Sequence, residues 1–197
     1  MEGAGGGPFA PEDLGPTPEL RRPKDLEHDN GLGGFTSDGR EYVIYLPPGR
    51  RTPRPWINVL ANPGFGFTLS EAGAGSTWAG NSSENRLTPW SNDPVSDPPG
   101  EALYLRDEET ALIWSPTPEP APSGAPYLVR HGAGYTVFEH NVHGLAQALR
   151  VFAAGEAPVK VIALRLENHW RRARRLTATY YAPWVLGVNR EATAPYI

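Results

Sequence analysis

The stretch TWAGNSSENRLTPWSND, residues 77–93, packs two tryptophans, three asparagines, an arginine and two acids into seventeen residues. Almost nothing in it is aliphatic, so it does not read as core. Its side chains suit the recognition of sugars. Tryptophan offers a flat apolar face with one polar N–H, and a sugar ring presents an apolar C–H face with a polar hydroxyl edge. Asparagine, arginine and aspartate supply donors and acceptors for neighbouring hydroxyls. Trp78, Asn81, Asn85, Arg86, Trp90, Asn92 and Asp93 are therefore the candidate substrate-binding residues. The same composition also suits a long ordered loop held by its own side-chain hydrogen bonds, with the tryptophans as anchors.

No catalytic residue and no metal ligand is assigned. Glycoside hydrolysis needs two carboxylates across a cleft. Glu84, Asp93 and Asp97 offer pairs, but in one loop beside Pro94, Pro98 and Pro99 they read as turn formers. His140 and His143 have an H-x-x-H spacing. On a strand that spacing sends them to opposite faces, and no third ligand is near in the sequence. Arg171, Arg172, Arg174 and Arg175 cluster beside Trp170 and read as a solvated turn or a domain-contact patch. A net charge of −4 gives a nucleic-acid role no support. The glycine run at 3–7 lacks the strand and helix of a phosphate loop, and Ser70, Ser76 and Ser82 lack a nucleophile elbow.

These side chains need a scaffold, and the sequence points to strands. Apolar and aromatic runs recur between Gly, Pro, Asn and Asp clusters: 42–46, 56–60, 102–107, 127–131, 135–140, 159–167 and 176–187. Valine, isoleucine, threonine, tyrosine and tryptophan dominate them, as strands prefer. The last two flank NHWRRARR and read as a hairpin. GLAQALRVFAA at 144–154 fits a helix, with Leu145, Ala148, Leu149 and Phe152 on one face, and an alternating strand fits it almost as well, so the segment is ambiguous. With 22 glycines and 22 prolines, turns are frequent. Short strands and many turns predict an all-β fold, an antiparallel β-sandwich over 23–197, preceded by a disordered Gly/Pro-rich tail or linker at 1–22. No run reaches the length of a membrane span, and the N-terminus has no signal-peptide pattern. Cysteine is absent, which excludes disulfides and thiolate metal sites and suits a reducing, cytoplasmic setting.

Several segments together carry a resemblance: NGLGGF at 30–35, EYVIYL at 41–46, PWINVLANPGFGF at 55–67, residues 77–110 from TWAGN to RDEET, RHGAGYTVFEH at 130–140, and PVKVIALRLEN followed by RRLTATYYAPWVLG. The chain resembles the N-terminal β super-sandwich of the glycoside phosphorylases of glycoside hydrolase family 94, most of all the phosphorylase-like C-terminal region of cyclic β-1,2-glucan synthases. Gly64 and Ser83 depart from the pattern, standing where arginine is expected.

The resemblance implies a division of labour. Such proteins join the sandwich to an (α/α)6 barrel, where one aspartic acid protonates the glycosidic oxygen and inorganic phosphate, a co-substrate, attacks the anomeric carbon. No cofactor is expected. The chain stops at EATAPYI and is expected to be truncated before that barrel. The implied partners are a β-glucan oligosaccharide, the catalytic barrel of the same polypeptide and a second copy in a homodimer. The expected location is cytoplasmic, including for a parent anchored in the bacterial inner membrane. An independent carbohydrate-binding module and a purely structural docking or dimerisation domain are the alternatives.

Overall fold

The computed structural model describes residues 15–197. Twelve strands follow one another: β1 (Gly33–Phe35), β2 (Glu41–Leu46), β3 (Ile57–Asn62), β4 (Phe65–Ser70), β5 (Gly75–Ala79), β6 (Ala102–Asp107), β7 (Ile113–Trp114), β8 (Tyr127–Gly132), β9 (Tyr135–Val142), β10 (Leu145–Ala153), β11 (Lys160–Asn168) and β12 (Leu176–Tyr181). One short helix, α1 (Arg190–Thr193), follows. The strands form three antiparallel sheets, with orders β1-β2-β8-β9-β10-β11, β3-β4-β5 and β12-β6-β7.

Tight turns set the register of the large sheet. His143 and Gly144, between β9 and β10, both have left-handed backbones, with φ of 53° and 71°. A two-residue hairpin turn of type I′ needs that geometry at both positions. It decides the ambiguous segment in favour of a strand. Leu145, Gln147, Leu149 and Val151 alternate as buried residues along β10. A helix would have grouped Leu145 with Ala148 and Phe152, both only half-buried here.

Both small sheets pack on one face of the large sheet. Ile44, Leu46, Val129, Phe138, Leu149 and Val151 of the large sheet meet Leu60, Phe65, Phe67 and Leu69 of β3 and β4 in the main core. Val142 and Leu145 meet Leu105 and Trp114 of β6 and β7 in a second, smaller core. Phe138 and Val142 sit an even number of residues apart on β9, so the same face serves both cores.

The expected hairpin between 159–167 and 176–187 does not form. β11 pairs with β10 along nine residues, whereas β12 pairs with β6. Arg174 diverts the chain. Its guanidinium donates to Asp107 Oδ2 from Nε at 2.9 Å and Nη2 at 2.5 Å, and also to His143 O. Asp107 is the residue opposite Leu176, so the pair starts the β12–β6 ladder. Arg172 pairs with Glu109 and lies 4.1 Å from the Trp170 ring centroid. Of the arginine cluster, Arg174 is an internal clamp, while Arg171, Arg172 and Arg175 are exposed. Only Leu176–Tyr181 of the last run is strand; residues 182–187 run alongside 86–88.

Residues 1–14 of the expected tail lie outside the described residues. Residues 15–22 carry no regular secondary structure and bond to the sheet. Thr17 Oγ1 accepts from Gly144 N at 2.9 Å, Pro18 O from Asn141 Nδ2 at 3.1 Å, and Leu20 O from the Tyr45 hydroxyl at 3.3 Å.

Strands β4 and β5 escape a reading based on β-branched runs, because glycine and serine interrupt them. Gly66 is required where it stands. It is opposite Ala61 on β3 and Trp78 on β5. A Cβ there would lie 2.6 Å from Trp78 Cζ2 and 2.8 Å from Ala61 Cβ.

His140, fully buried on β9, shows where the H-x-x-H spacing leads. Its Nδ1–H donates to Pro126 O at 2.9 Å, so Nε2 accepts from Ser123 Oγ at 2.7 Å. Its ring stacks on Tyr127 at 3.8 Å, while His143 packs edge-on to Trp114. Burial pulls the His140 pKa from 6.5 down to about 4. The unfolded chain takes up this proton near 6.5 and the folded chain only near 4. The stabilisation is therefore complete above the higher value and is lost as pH falls toward the lower one.

Lowering the pH from 7 to 5 should cost about 2 kcal/mol through His140 alone, measured by urea unfolding at each pH. His140→Gln should remove that share of the pH dependence and leave the share of His131, whose pKa burial also lowers to about 4; an unchanged slope would refute the assignment. Gly66→Ala should lower the unfolding free energy by about 1–3 kcal/mol, because the Trp78 ring must move. An unshifted urea midpoint would mean the ring has room to give.

Candidate carbohydrate-binding site

The stretch 77–93 is not a free loop. Thr77, Trp78 and Ala79 belong to β5, and Arg86 bridges Trp78 on one side and Gly187 on the other. Alternation along β3 sends Ile57, Val59 and Ala61 outward and Leu60 into the core. The register then sets Val59, Thr68 and Ser76 in a row across the outer face, next to the row Ala61, Gly66 and Trp78. Val59, Thr68, Ser76 and Trp78, with Ser82, Ser83, Arg86 and Trp90, line an open groove of about 490 Å³.

Three of the seven candidate residues meet there. Trp78 lies half-buried on β5. Trp90 is 50% exposed and stands at the wall. The Arg86 guanidinium lies 5.5 Å from the centroid of the Trp90 ring. Such a contact is worth about 0.5–1 kcal/mol at an exposed site and fixes the orientation of both groups. Arg86 Nε also donates to Ser82 O at 3.3 Å.

The other four do not line the groove. Asn81 Oδ1 accepts from the Ser83 and Glu84 amides at 2.8 and 3.0 Å, and Asn85 Nδ2 donates to Ala79 O at 3.1 Å. Asp93 Oδ1 accepts from the Val95 and Ser96 amides at 2.9 and 3.2 Å, and Oδ2 from Ser96 Oγ at 2.5 Å. The hydrogen bonds from Ser96 and Val95 hold the Asp93 carboxyl below its ordinary pKa. These are side chains mimicking or capping turns. Asn92 is exposed beside them. Asp97 accepts from Ser70 Oγ at 2.6 Å, and burial pushes its carboxyl up. Of these acids Asp93 builds a turn, whereas Asp97 ties the segment to Ser70 at the end of β4.

Beneath the groove lies a cluster that the sequence reading missed. Glu101, only 6% exposed, receives bonds from every side. Its Oε1 accepts from Thr77 Oγ1 and from Thr88 Oγ1, the latter at 2.7 Å. Its Oε2 accepts from Lys160 Nζ and from the Tyr180 hydroxyl. Lys160 Nζ also lies 4.4 Å from the centroid of the Phe67 ring. Burial pushes the Glu101 carboxyl up, but the Lys160 ammonium and the hydrogen bonds of Lys160, Thr77 and Tyr180 outweigh it and leave the pKa below its ordinary value. Burial, then the Glu101 charge, raises the Tyr180 hydroxyl. One signal was available: Lys160 is a lone cation in the apolar run VKVIAL, and a buried cation needs a partner.

The groove can bind but lacks the groups for acid–base chemistry. Its lining holds apolar faces, hydroxyls and one guanidinium, with no carboxylate and no histidine. Among the described residues no group of three His, Cys, Asp or Glu side chains is placed to hold a metal, and no helix is long and apolar enough to cross a membrane.

Residues 40–197 match the family Glycosyl hydrolase 94, supersandwich domain. The chain is 42% identical over 176 residues, 88% of its length, to Cyclic beta-(1,2)-glucan synthase NdvB of Rhizobium meliloti (strain 1021). It is 32% identical over 152 residues, 76% of its length, to N,N'-diacetylchitobiose phosphorylase of Vibrio furnissii. To Solabiose phosphorylase of Paenibacillus borealis it is 33% identical over 149 residues, 74% of its length. The matched chain spans 6% of the synthase and 19% of each of these phosphorylases. The antiparallel sandwich and the matched residues agree, and the chain belongs to the glycosyl hydrolase 94 family, as its supersandwich domain.

Proposed function

We propose that this domain is the non-catalytic sandwich of a β-glucan phosphorylase or a cyclic β-1,2-glucan synthase, and that its outer groove binds the glucan. The observation that carries this reading is the convergence of Trp78, Arg86 and Trp90 on one open groove. Two indole faces suit the C–H faces of glucose units, and the guanidinium beside them donates to hydroxyls without bringing a competing carboxylate. Ser83, standing where the resemblance leads us to expect arginine, adds a hydroxyl to the lining and leaves Arg86 as its charge.

The chemistry itself belongs, in this reading, to an (α/α)6 barrel of the same polypeptide, which uses inorganic phosphate as co-substrate. The similarity to a glucan synthase and to phosphorylases supports that division. So does a groove without a general acid. A cytoplasmic setting is part of the same proposal, supported by a sequence without cysteine. A second reading, as a docking surface for the barrel or for a second copy, draws on Tyr181, Trp184, Leu186 and Val188, all exposed.

An NMR titration of the chain with β-1,2-gluco-oligosaccharides should shift the Trp78 and Trp90 indole signals. The dissociation constant should be on the order of millimolar, worth roughly 4 kcal/mol, as suits a few contacts. Trp90→Ala should weaken binding severalfold at unchanged melting temperature. If it lowers the melting temperature and leaves the affinity alone, the loop is scaffold and the docking reading takes its place. Incubated with the same oligosaccharides and phosphate, the chain alone should release no glucose 1-phosphate. Reproducible turnover by the pure chain would contradict the assignment of the chemistry to the barrel.

A further inference from the structure

The groove's walls are set from below. The segment that carries Arg86 leaves β5 after Ala79 and comes back alongside it at Thr88. Both ends meet one carboxylate oxygen: Thr77 Oγ1 and Thr88 Oγ1 donate to Glu101 Oε1. Thr88 Oγ1 in turn accepts from the Thr77 amide at 2.8 Å, and the Leu87 amide donates to Thr77 O at 2.8 Å. Trp78 is the neighbour of Thr77 with its side chain on the opposite face of β5. Arg86 and Trp90 lie two residues to either side of Thr88. A shift of either threonine therefore moves all three groove residues.

The other carboxylate oxygen serves two different strands. It holds Lys160 of β11 and Tyr180 of β12. The chain beyond Tyr180 returns to the same loop. Val185 N donates to Leu87 O at 2.8 Å, Gly187 N to Arg86 O at 2.9 Å, and Arg86 N to Gly187 O at 3.2 Å. Residues 180–187 thus bracket the groove loop at two points, one through Glu101 and one through the backbone.

We propose that Glu101 is the positioning residue of the groove, and that through it and Tyr180 the segment 180–187 controls how tightly the groove holds its sugar. The affinity part rests on the sugar-binding reading above; the positioning part does not. Glu101 touches no ligand. It acts by fixing Thr77 and Thr88, and so the spacing between Trp78 and the Arg86–Trp90 pair. An aromatic platform binds a ring only when its faces are held in place, because ordering them on binding costs affinity.

The deciding variant is Tyr180→Phe, which removes one remote donor and keeps the ring. Glu101→Gln is the second. Amide hydrogen exchange is read at Arg86, Leu87 and Gly187 and compared with the β8–β10 strands. Loss of a hydrogen bond to a charged group should reduce protection at the loop about tenfold, with β8–β10 unchanged. Affinity for β-1,2-gluco-oligosaccharide should fall by a similar factor. A uniform loss of protection across loop and strands, or none at the loop, would overturn the proposal. Should Glu101→Gln fail to fold, Tyr180→Phe decides alone. Selective loss of loop protection in a chain that binds no sugar even as wild type would uphold the positioning role and remove both the affinity control and the sugar reading.

Discussion

The Glu101 carboxylate is bonded from all three sheets at once. Thr77 reaches it from β5, Lys160 from β11 and Tyr180 from β12, and Glu101 itself sits just before β6. The two small sheets share no strand pairing, and both are held to the large sheet chiefly by side-chain packing. Packing alone is non-directional. The buried carboxylate adds direction where the three sheets meet. Its net contribution is small while every partner is present, because desolvation offsets the Coulombic gain, but removing the charged partner, Lys160, would strand a buried charge at a cost of about 3–5 kcal/mol.

The Arg174–Asp107 pair does the same for the chain path. Both side chains are 2% exposed, so the pair is satisfied only when Arg174 lies over the end of β6. That requirement turns the chain away from the edge of β11 and feeds it into the other sheet. Asp107 also accepts from the amides of Glu109 and Thr110, at 2.9 and 3.0 Å, which closes the turn into β7. Burial pushes its carboxyl up, but the hydrogen bonds from Arg174, Thr110 and Glu109 and the Arg174 charge together outweigh that and lower it.

With the inner faces committed in this way, the outer face of β3-β4-β5 is left to solvent. Its residues are short where the strands cross: Thr68, Ser76 and Gly66. The tryptophans stand at the side of this shallow floor. The result is a groove with room beside an aromatic wall, which a denser face of branched residues would have filled. The turn-forming work of Asn81, Asn85 and Asp93 shapes that wall without entering it.

The sequence by itself determined the all-β class, the family, and the residue types suited to sugar. Those follow from strand-forming runs, from turn residues and from a long resemblance, all of which are local or linear properties. Trp78, Arg86 and Trp90 were legible as candidates because aromatic and guanidinium groups have few other uses in a polar segment. Which of seven candidates face the groove was decided only in the tertiary structure, because turn-building and ligand-binding draw on the same side chains. Whether Asn81 bonds a sugar or its own loop depends on the loop's path, and composition carries no path. The same reason separates β11 from β12. Two strands joined by the arginine-rich segment 168–175 read as a hairpin until a distant aspartate, buried at the end of β6, is there to capture Arg174. Glu101 was the least visible of all. Its partners lie 24, 13, 59 and 79 residues away in the chain, and only the stacking of three sheets brings them to one carboxylate.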